Sequence, residues 1–186
     1  MKQIKPIEIS PEEFEQQIKS WLSKAHNNLV SFKITHRKYL EGRSGEYEID
    51  IVAEFEIFES SQIVVLIECK RYKNPVKRDI IMVLNQKLQE IGAHKGMVFS
   101  TSGFQSGAIS FASEHKIATI TVQDGKTNYH TKSHGGRNVF PPWVHISKFI
   151  GWYTNIGSNG LENYSLINDS RIEPLATWIE DLEEAK

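Results

Sequence analysis

Residues 11–25 place Phe14, Ile18, Trp21, Leu22 and Ala25 at helical spacing, so one apolar stripe winds along this segment. Ser10-Pro11-Glu12-Glu13 precedes it with a good N-cap, a proline suited to the first helical turn and a glutamate placed for a capping box. This predicts a first helix ending near His26-Asn27-Asn28. Leu29 to Leu40 then reads as a strand anchored by Phe32 and Ile34, with a turn over Glu41-Gly42-Arg43-Ser44-Gly45. From Glu46 to Phe58 the period becomes two: Ile49, Ile51, Ala53, Phe55 and Ile57 share one side, and Glu48, Asp50, Glu54 and Glu56 the other. Glu59-Ser60-Ser61-Gln62 suits a hairpin turn. The unbroken run Ile63 to Ile67 suits a strand covered on both faces.

A second helix is expected from Asn74-Pro75, with Val76, Ile80, Val83, Leu84, Leu88 and Ile91 inward and Gly92 as its stop. Gly96–Ser100 reads as a short strand, Phe104–His115 as a third helix and Ile117–Val122 as another strand. The order α-β-β-β-α-β-α-β implies an α/β fold, a mixed sheet with helices on both faces. Residues 1–124 form the expected main domain. Residues 125–186 read as an irregular C-terminal extension packed on or beside it, with Trp143–Tyr153 and Leu175–Leu182 apolar enough to be ordered.

Composition narrows the class. With 186 residues, 39% hydrophobic and 24% charged, the chain suits one globular domain with its own core. No apolar run approaches the roughly 18 residues that a membrane span needs. Met1-Lys2-Gln3-Ile4-Lys5-Pro6 lacks a secretory pattern. Cys69 is the single cysteine, which excludes an internal disulfide and a cysteine-based zinc cluster. A cytoplasmic location is the simplest expectation, with no membrane partner. The net charge of −1 hides a local asymmetry. Lys70, Arg71, Lys73, Lys77 and Arg78 follow one another with no acid between them, after a stretch from Glu41 to Glu68 in which Arg43 is the sole basic residue. Either a solvated mixed surface or a positive edge fits that run.

The chemistry-bearing pattern is Asp50 followed by Glu68-Cys69-Lys70 at the end of the apolar strand. Period two puts Glu68 and Lys70 on one side with Cys69 turned away. A symmetric hairpin would bring Ala53 opposite Ile67, leaving Asp50 a few residues out of register with Glu68 for a bulge or twist to absorb. Two carboxylates and the Cys69 main-chain carbonyl are hard oxygen donors suited to magnesium, or manganese. Such an ion acidifies water and stabilises charge on a phosphate, and Lys70 beside it can orient or deprotonate that water.

These residues resemble the PD-(D/E)xK nuclease superfamily, in particular its Mrr-type restriction endonuclease-like domain. The likeness runs from Pro11 to Val122. It includes Phe14-Glu15, Glu46-Tyr47-Glu48-Ile49-Asp50, Glu68-Cys69-Lys70-Arg71-Tyr72-Lys73, Lys95-Gly96-Met97-Val98-Phe99-Ser100, Gly103-Phe104-Gln105 with Ala108, and Ile117. Ile49 stands where the superfamily name has proline. The resemblance implies a restriction-endonuclease-like fold and a metal-dependent DNA endonuclease serving restriction or defence against foreign or modified DNA. Asp50 and Glu68 would be metal ligands, Lys70 the catalytic lysine, Glu15 a helper of the metal shell and Gln86 a polar active-site residue on the second helix. Arg71, Lys73, Lys77 and Arg78 are candidate DNA contacts. A homodimer would supply the two sites that double-strand cleavage needs. Two alternatives remain at this point: a non-catalytic DNA-binding module on the same scaffold, and a nuclease for branched DNA or structured RNA.

Smaller candidates also have ordinary structural roles. Thr101-Ser102-Gly103 can offer main-chain N–H groups to a phosphate, or simply cap a helix. Trp143, Trp152 and Tyr153 can stack on bases, or pack over a sheet edge. Of the seven histidines only His130 and His134 stand four apart, and they fall in a Gly-, Asn- and Pro-rich stretch that reads as an irregular connection, so no helical i, i+4 pair is expected.

Overall fold

The computed structural model describes residues 7–25, 29–57, 61–125 and 147–181. Among these residues a single sheet of seven strands, in the order β1-β2-β3-β4-β5-β6-β7, carries helices on both faces. Helix α1 (Pro11–Lys24) opens with the expected capping box: Ser10 Oγ accepts from Glu13 N–H, and the Glu13 carboxylate accepts from Ser10 N–H at 2.9 Å. Strands β1 (Val30–Gly42) and β2 (Gly45–Ile57) form a long hairpin whose two-residue loop, Arg43-Ser44, is held by Glu90.

Strand β3 (Ser61–Lys70) pairs antiparallel with β2 and parallel with β4 (Lys95–Ser100); β4 in turn pairs parallel with β5 (Ile117–Asp124). Central parallel strands are covered on both sides, which is why their sequences are nearly continuous apolar runs. Every residue of β4 is buried, Lys95 included. The crossovers are α2 (Arg78–Ile91) and α3 (Ser106–Glu114). Their Ile81, Leu84, Leu88, Ala108, Phe111 and Ala112 pack with Val52, Leu66 and Val98 on one face of the sheet. On the other face, Phe14, Ile18, Trp21 and Leu22 of α1 pack over Ile51, Ala53, Phe55, Val65 and Ile67.

Three expectations change. Helix α2 begins at Arg78, because residues 74–77 are bound by the loop before α3 instead of by helical bonds. Val76 N–H donates to Gly103 O and Gln105 N–H to Val76 O, and Ser102 Oγ donates to Asn74 O. The buried face also differs from the expected one: Ile81 is buried, while Val83 is 52% exposed. Gly92 does stop the helix, with a left-handed φ of 75° that suits glycine. The β2–β3 register is also two residues tighter than a symmetric turn predicts, with Ile57↔Ser61, Phe55↔Ile63 and Ile51↔Ile67; Ser61 and Gln62 are strand residues. Third, the region after residue 146 is regular. Strand β6 (Phe149–Ile156) pairs with β5, β7 (Glu162–Ile167) pairs with β6, and α4 (Glu173–Glu180) packs Leu175, Trp178 and Ile179 into the α1-side core.

Buried Lys95 ties α4 down. Its ammonium donates to the carbonyls of Trp178, Ile179 and Asp181 and lies 4.6 Å from the Trp178 ring. Among the described residues, no helix is long and apolar enough to cross a membrane.

Candidate active site

Extending the β2–β3 register one step past Ile51↔Ile67 sets Asp50 directly opposite Glu68. No bulge is needed. Pairing of β2 with β3 ends at Ile51, and the Asp50 side chain takes over, its Oδ2 accepting from Cys69 N–H at 2.7 Å. On the neighbouring residues, Glu68 and Lys70 share the α2–α3 face as period two requires, and the Lys70 ammonium donates to Glu68 Oε2. The same ammonium stands 3.7 Å from Asp50 Oδ2. The three side chains thus converge at the C-terminal end of β3, where its pairing with β2 stops.

Helix α2 contributes Lys87, which sequence reasoning missed. Its Nζ donates to Glu68 Oε1 at 2.6 Å and to the Glu48 carbonyl at 3.2 Å. Gln86, one residue earlier and about 100° round the helix, is exposed. A usable signal existed: Lys87 sits between Leu84 and Leu88 on the helix's apolar face, where an ammonium needs a partner.

Glu15 on α1 is buried and held by β1. His36 Nε2 lies 2.6 Å from its Oε2 and Arg37 Nε donates to it at 3.1 Å, while Gln16 Nε2 meets His36 Nδ1 at 3.0 Å. Arg37 lies between the pairs His36↔Ile51 and Lys38↔Ile49, hence opposite Asp50. Its φ of 50° is left-handed, a strained backbone for a non-glycine residue.

The electrostatics follow from this packing. Burial and then the Glu68 charge raise the Asp50 pKa, against the opposing pull of the Cys69 N–H and Lys70. Burial also pushes Glu68 upward, but Lys70 and Lys87 outweigh it and the net shift is downward. For Lys70 burial acts downward, and Glu68 and Asp50 reverse it, so the ammonium is held more firmly than usual. Burial drives the Cys69 thiol well up, with Asp50 and Glu15 adding to it.

The donor set fits a small hard cation. Among the described residues no group of three or more His, Cys, Asp or Glu side chains is gathered for a metal. What the cluster offers is two carboxylates plus main-chain oxygen, the sparse set with which magnesium keeps several waters. The carboxylates of Asp50 and Glu68 stand opposite each other with the Lys70 ammonium reaching both, a placement in which a cation could be shared.

The other expected residues distribute around this centre. Arg71, Lys73, Lys77 and Arg78 are exposed. The first three line a 350 Å³ cleft with Tyr72, Asn74 and Pro75, and Arg78 lies over the Phe111 ring at 4.9 Å. Thr101 and Ser102 bind protein carbonyls, those of Tyr72 and Asn74. Of the described histidines, His36 meets Glu15, His94 Nδ1 accepts from Val64 N–H and His115 stacks on Phe111. His26, His130, His134, His145 and Trp143 lie outside the described residues.

No curated protein matches the chain. Among solved structures, a crystal structure of a protein of unknown function, AF1548, is similar at 19% identity and a TM-score of 0.45, over 57% of this chain and 56% of that one. The family model Mrr_cat, described as a restriction endonuclease, matches residues 7–127, a span that contains Glu15, Asp50, Glu68, Lys70 and Lys87. By its description that family is one of nucleases. With most of its sheet and the whole carboxylate–lysine cluster inside the matched span, the chain belongs to the Mrr_cat restriction endonuclease family.

Proposed function

We propose that this chain is a magnesium-dependent endodeoxyribonuclease, able to use manganese, that serves restriction or defence against foreign or modified DNA. Residues 1–124 form its catalytic part, and residues 125–186 are an extension of it. The observation that carries the reading is the direct opposition of Asp50 and Glu68 across β2 and β3, with the Lys70 ammonium reaching both.

Asp50, Glu68 and the Cys69 main-chain carbonyl would hold the ion. When bound, the ion supplies hard positive charge against phosphate oxygens and acidifies water in the site. Glu68 keeps one oxygen on Lys87 and has the other shared with Lys70, so its orientation is fixed before any substrate arrives. Lys70, held as an ammonium by its two acidic neighbours, stabilises charge growing on the phosphorane and does not act as a base in the ion-free state. Glu15 adds negative charge behind Asp50 while His36 and Arg37 hold it in place. Arg71, Lys73 and Lys77 lie beside the site where a phosphate backbone would enter. Two such sites in a homodimer would cut both strands.

The experiment is plasmid incubation with magnesium, with EDTA, and with Glu68→Ala and Lys70→Ala. Nicking by the wild type that disappears in the other three supports the reading. Retarded DNA with no nicking under any divalent ion would replace it with a DNA-binding module. Faster cutting of branched DNA or structured RNA would move the substrate class.

A further inference from the structure

The strand registers connect the proposed catalytic residues to a second feature. Glu68 pairs with Val98, Val98 with Thr119, Thr119 with Thr154 and Thr154 with Tyr164. Two residues on, Lys70 pairs with Ser100, Ser100 with Thr121 and Thr121 with Trp152. Residues paired across a sheet share a face, so Trp152 and Tyr164 stand on the same side as Glu68 and Lys70. At about 4.8 Å per strand, Trp152 is roughly 14 Å from Lys70, and Tyr164 roughly 19 Å from Glu68.

There the sheet floors an open cavity of about 480 Å³. Trp152, Tyr164, Thr121 and Thr154 come from the strands, Gln123 from the end of β5, and Phe104 from the loop before α3. Tyr164 is 58% exposed. Three aromatic rings beside two hydroxyls and a primary amide suit a flat heteroaromatic ring with donors and acceptors on its edge. A larger cavity of about 680 Å³, lined by Tyr153 and Arg171, lacks this connection because Tyr153 faces the α1 side.

We propose that the Trp152–Tyr164 cavity takes an extrahelical nucleobase of the DNA whose backbone lies at Asp50, Glu68 and Lys70. Continuity of the surface supports the assignment. The basic segment starting at Arg71 leaves the catalytic strand and runs beside the loop that walls the cavity, bridged by Val76 and Phe104. Positive side chains thus lead from one end of the path toward the other. The separation corresponds to about four to six base steps at 3.4 Å each, so one substrate can occupy both places. A base taken out of the stack costs least where it is already unpaired, which makes mismatched, bulged or damaged sites the preferred targets.

The inference rests on the nuclease reading for the identity of the polymer, and its test is separate because it reads binding alone. A short duplex carrying a single bulged fluorescent adenine analogue is titrated with protein in EDTA, beside the same duplex with an abasic bulge and a fully paired one. The expected result is quenching of the analogue and about tenfold tighter binding of the bulged base than of the abasic bulge. Trp152→Ala and Tyr164→Ala should abolish both the quenching and the preference, while retaining the affinity for paired duplex. Tyr164 lies on the exposed edge strand, so its replacement leaves the fold intact even if Trp152→Ala does not. Equal affinity for the base-containing and abasic bulges, or a preference untouched by Tyr164→Ala, overturns the proposal. Magnesium-dependent nicking is scored independently, so a protein that cuts without this preference loses the cavity and keeps the nuclease. One that shows the preference without cutting does the reverse.

Discussion

Lys87 Nζ lies 2.6 Å from Glu68 Oε1, while the opposite oxygen of that carboxylate receives Lys70. One carboxylate therefore carries two ammoniums, and only the one from Lys70 also reaches Asp50. If Lys87 orients Glu68, Lys87→Met should slow plasmid cleavage about tenfold to a hundredfold. Divalent-ion binding followed by calorimetry should be no weaker, because a competing positive charge has gone. Lys87→Arg should recover part of the rate. Loss of rate and ion affinity together, unrecovered by arginine, would make Lys87 a structural residue.

Glu68→Ala tests the same cluster through stability. Removing the carboxylate leaves Lys70 and Lys87 facing each other with side chains about one-fifth exposed, and neither retains its main counter-charge. A loss of about 2 kcal/mol is expected in urea unfolding, below the value for a fully buried pair because solvent reaches both lysines. The double variant with Lys87→Met should recover part of that loss. An unchanged midpoint in Glu68→Ala would show that the pairs contribute nothing net.

Asp50→Asn is expected to stabilise the ion-free protein while abolishing cleavage. The folded pKa of Asp50 is raised, so folding favours its neutral form and ionisation costs stability. That cost is absent below the unfolded value, develops as pH rises through the folded pKa and persists at neutral pH. Asparagine keeps an oxygen for the Cys69 N–H without the charge. Melting in EDTA should therefore show the variant above wild type at neutral pH, with the gap closing as acid protonates Asp50. Saturating magnesium should also narrow it. A variant less stable at all pH values would mean the Lys70 attraction outweighs burial.

The features legible in the sequence are those that local chemistry decides. The capping box at Ser10, the stop at Gly92, the alternation from Ile51 to Phe55 and the Glu68/Lys70 pairing on one face need only neighbours along the chain; Ile49, expected on the side of Ile51, instead joins Val52 and Leu66 on the α2–α3 face. What escaped depends on partners far away. Asn74-Pro75 has the local look of a helix start, but the loop at residues 101–105 binds that segment. Strand β7 is mostly exposed and polar because it closes the sheet edge, so Glu162-Asn163-Tyr164-Ser165 has no apolar alternation to reveal it. Lys87 was hidden because its partners, the Glu68 carboxylate and the Glu48 carbonyl, lie on strands far away in sequence, and the family resemblance pointed to its neighbour Gln86. Glu15's partners are contributed by β1.

Lys95→Met should loosen α4 from the sheet. The methionine fills the space, but the carbonyls of buried Trp178 and of exposed Asp181 lose a charged donor at the helix end. A cost of about 1–3 kcal/mol follows for unmet buried acceptors. Hydrogen exchange should quicken in residues 173–181 more than in α1, and cleavage should persist because Lys95 is at the other end of β4 from Ser100, the partner of Lys70. Uniform loss of protection across the sheet would show that α4 and the core unfold as one unit.

Cys69 offers a probe of the site that needs no substitution. Its side chain is turned away from Glu68 and Lys70, and burial, with Asp50 and Glu15 nearby, holds the thiol well above its ordinary pKa. The thiolate is the reacting species, so alkylation by iodoacetamide at mildly alkaline pH should be slow in the native protein and fast in urea. Because the Cys69 N–H holds Asp50, anything that detaches β2 from β3 at this end should expose the sulfur as well. Native labelling should accelerate in Asp50→Ala, which removes that bond, and stay slow in Asp50→Asn, which keeps it. Rapid labelling of the wild type would mean that the strand end carrying Glu68, Cys69 and Lys70 opens readily, and the cluster would then lack the rigidity that a preorganised ion site requires.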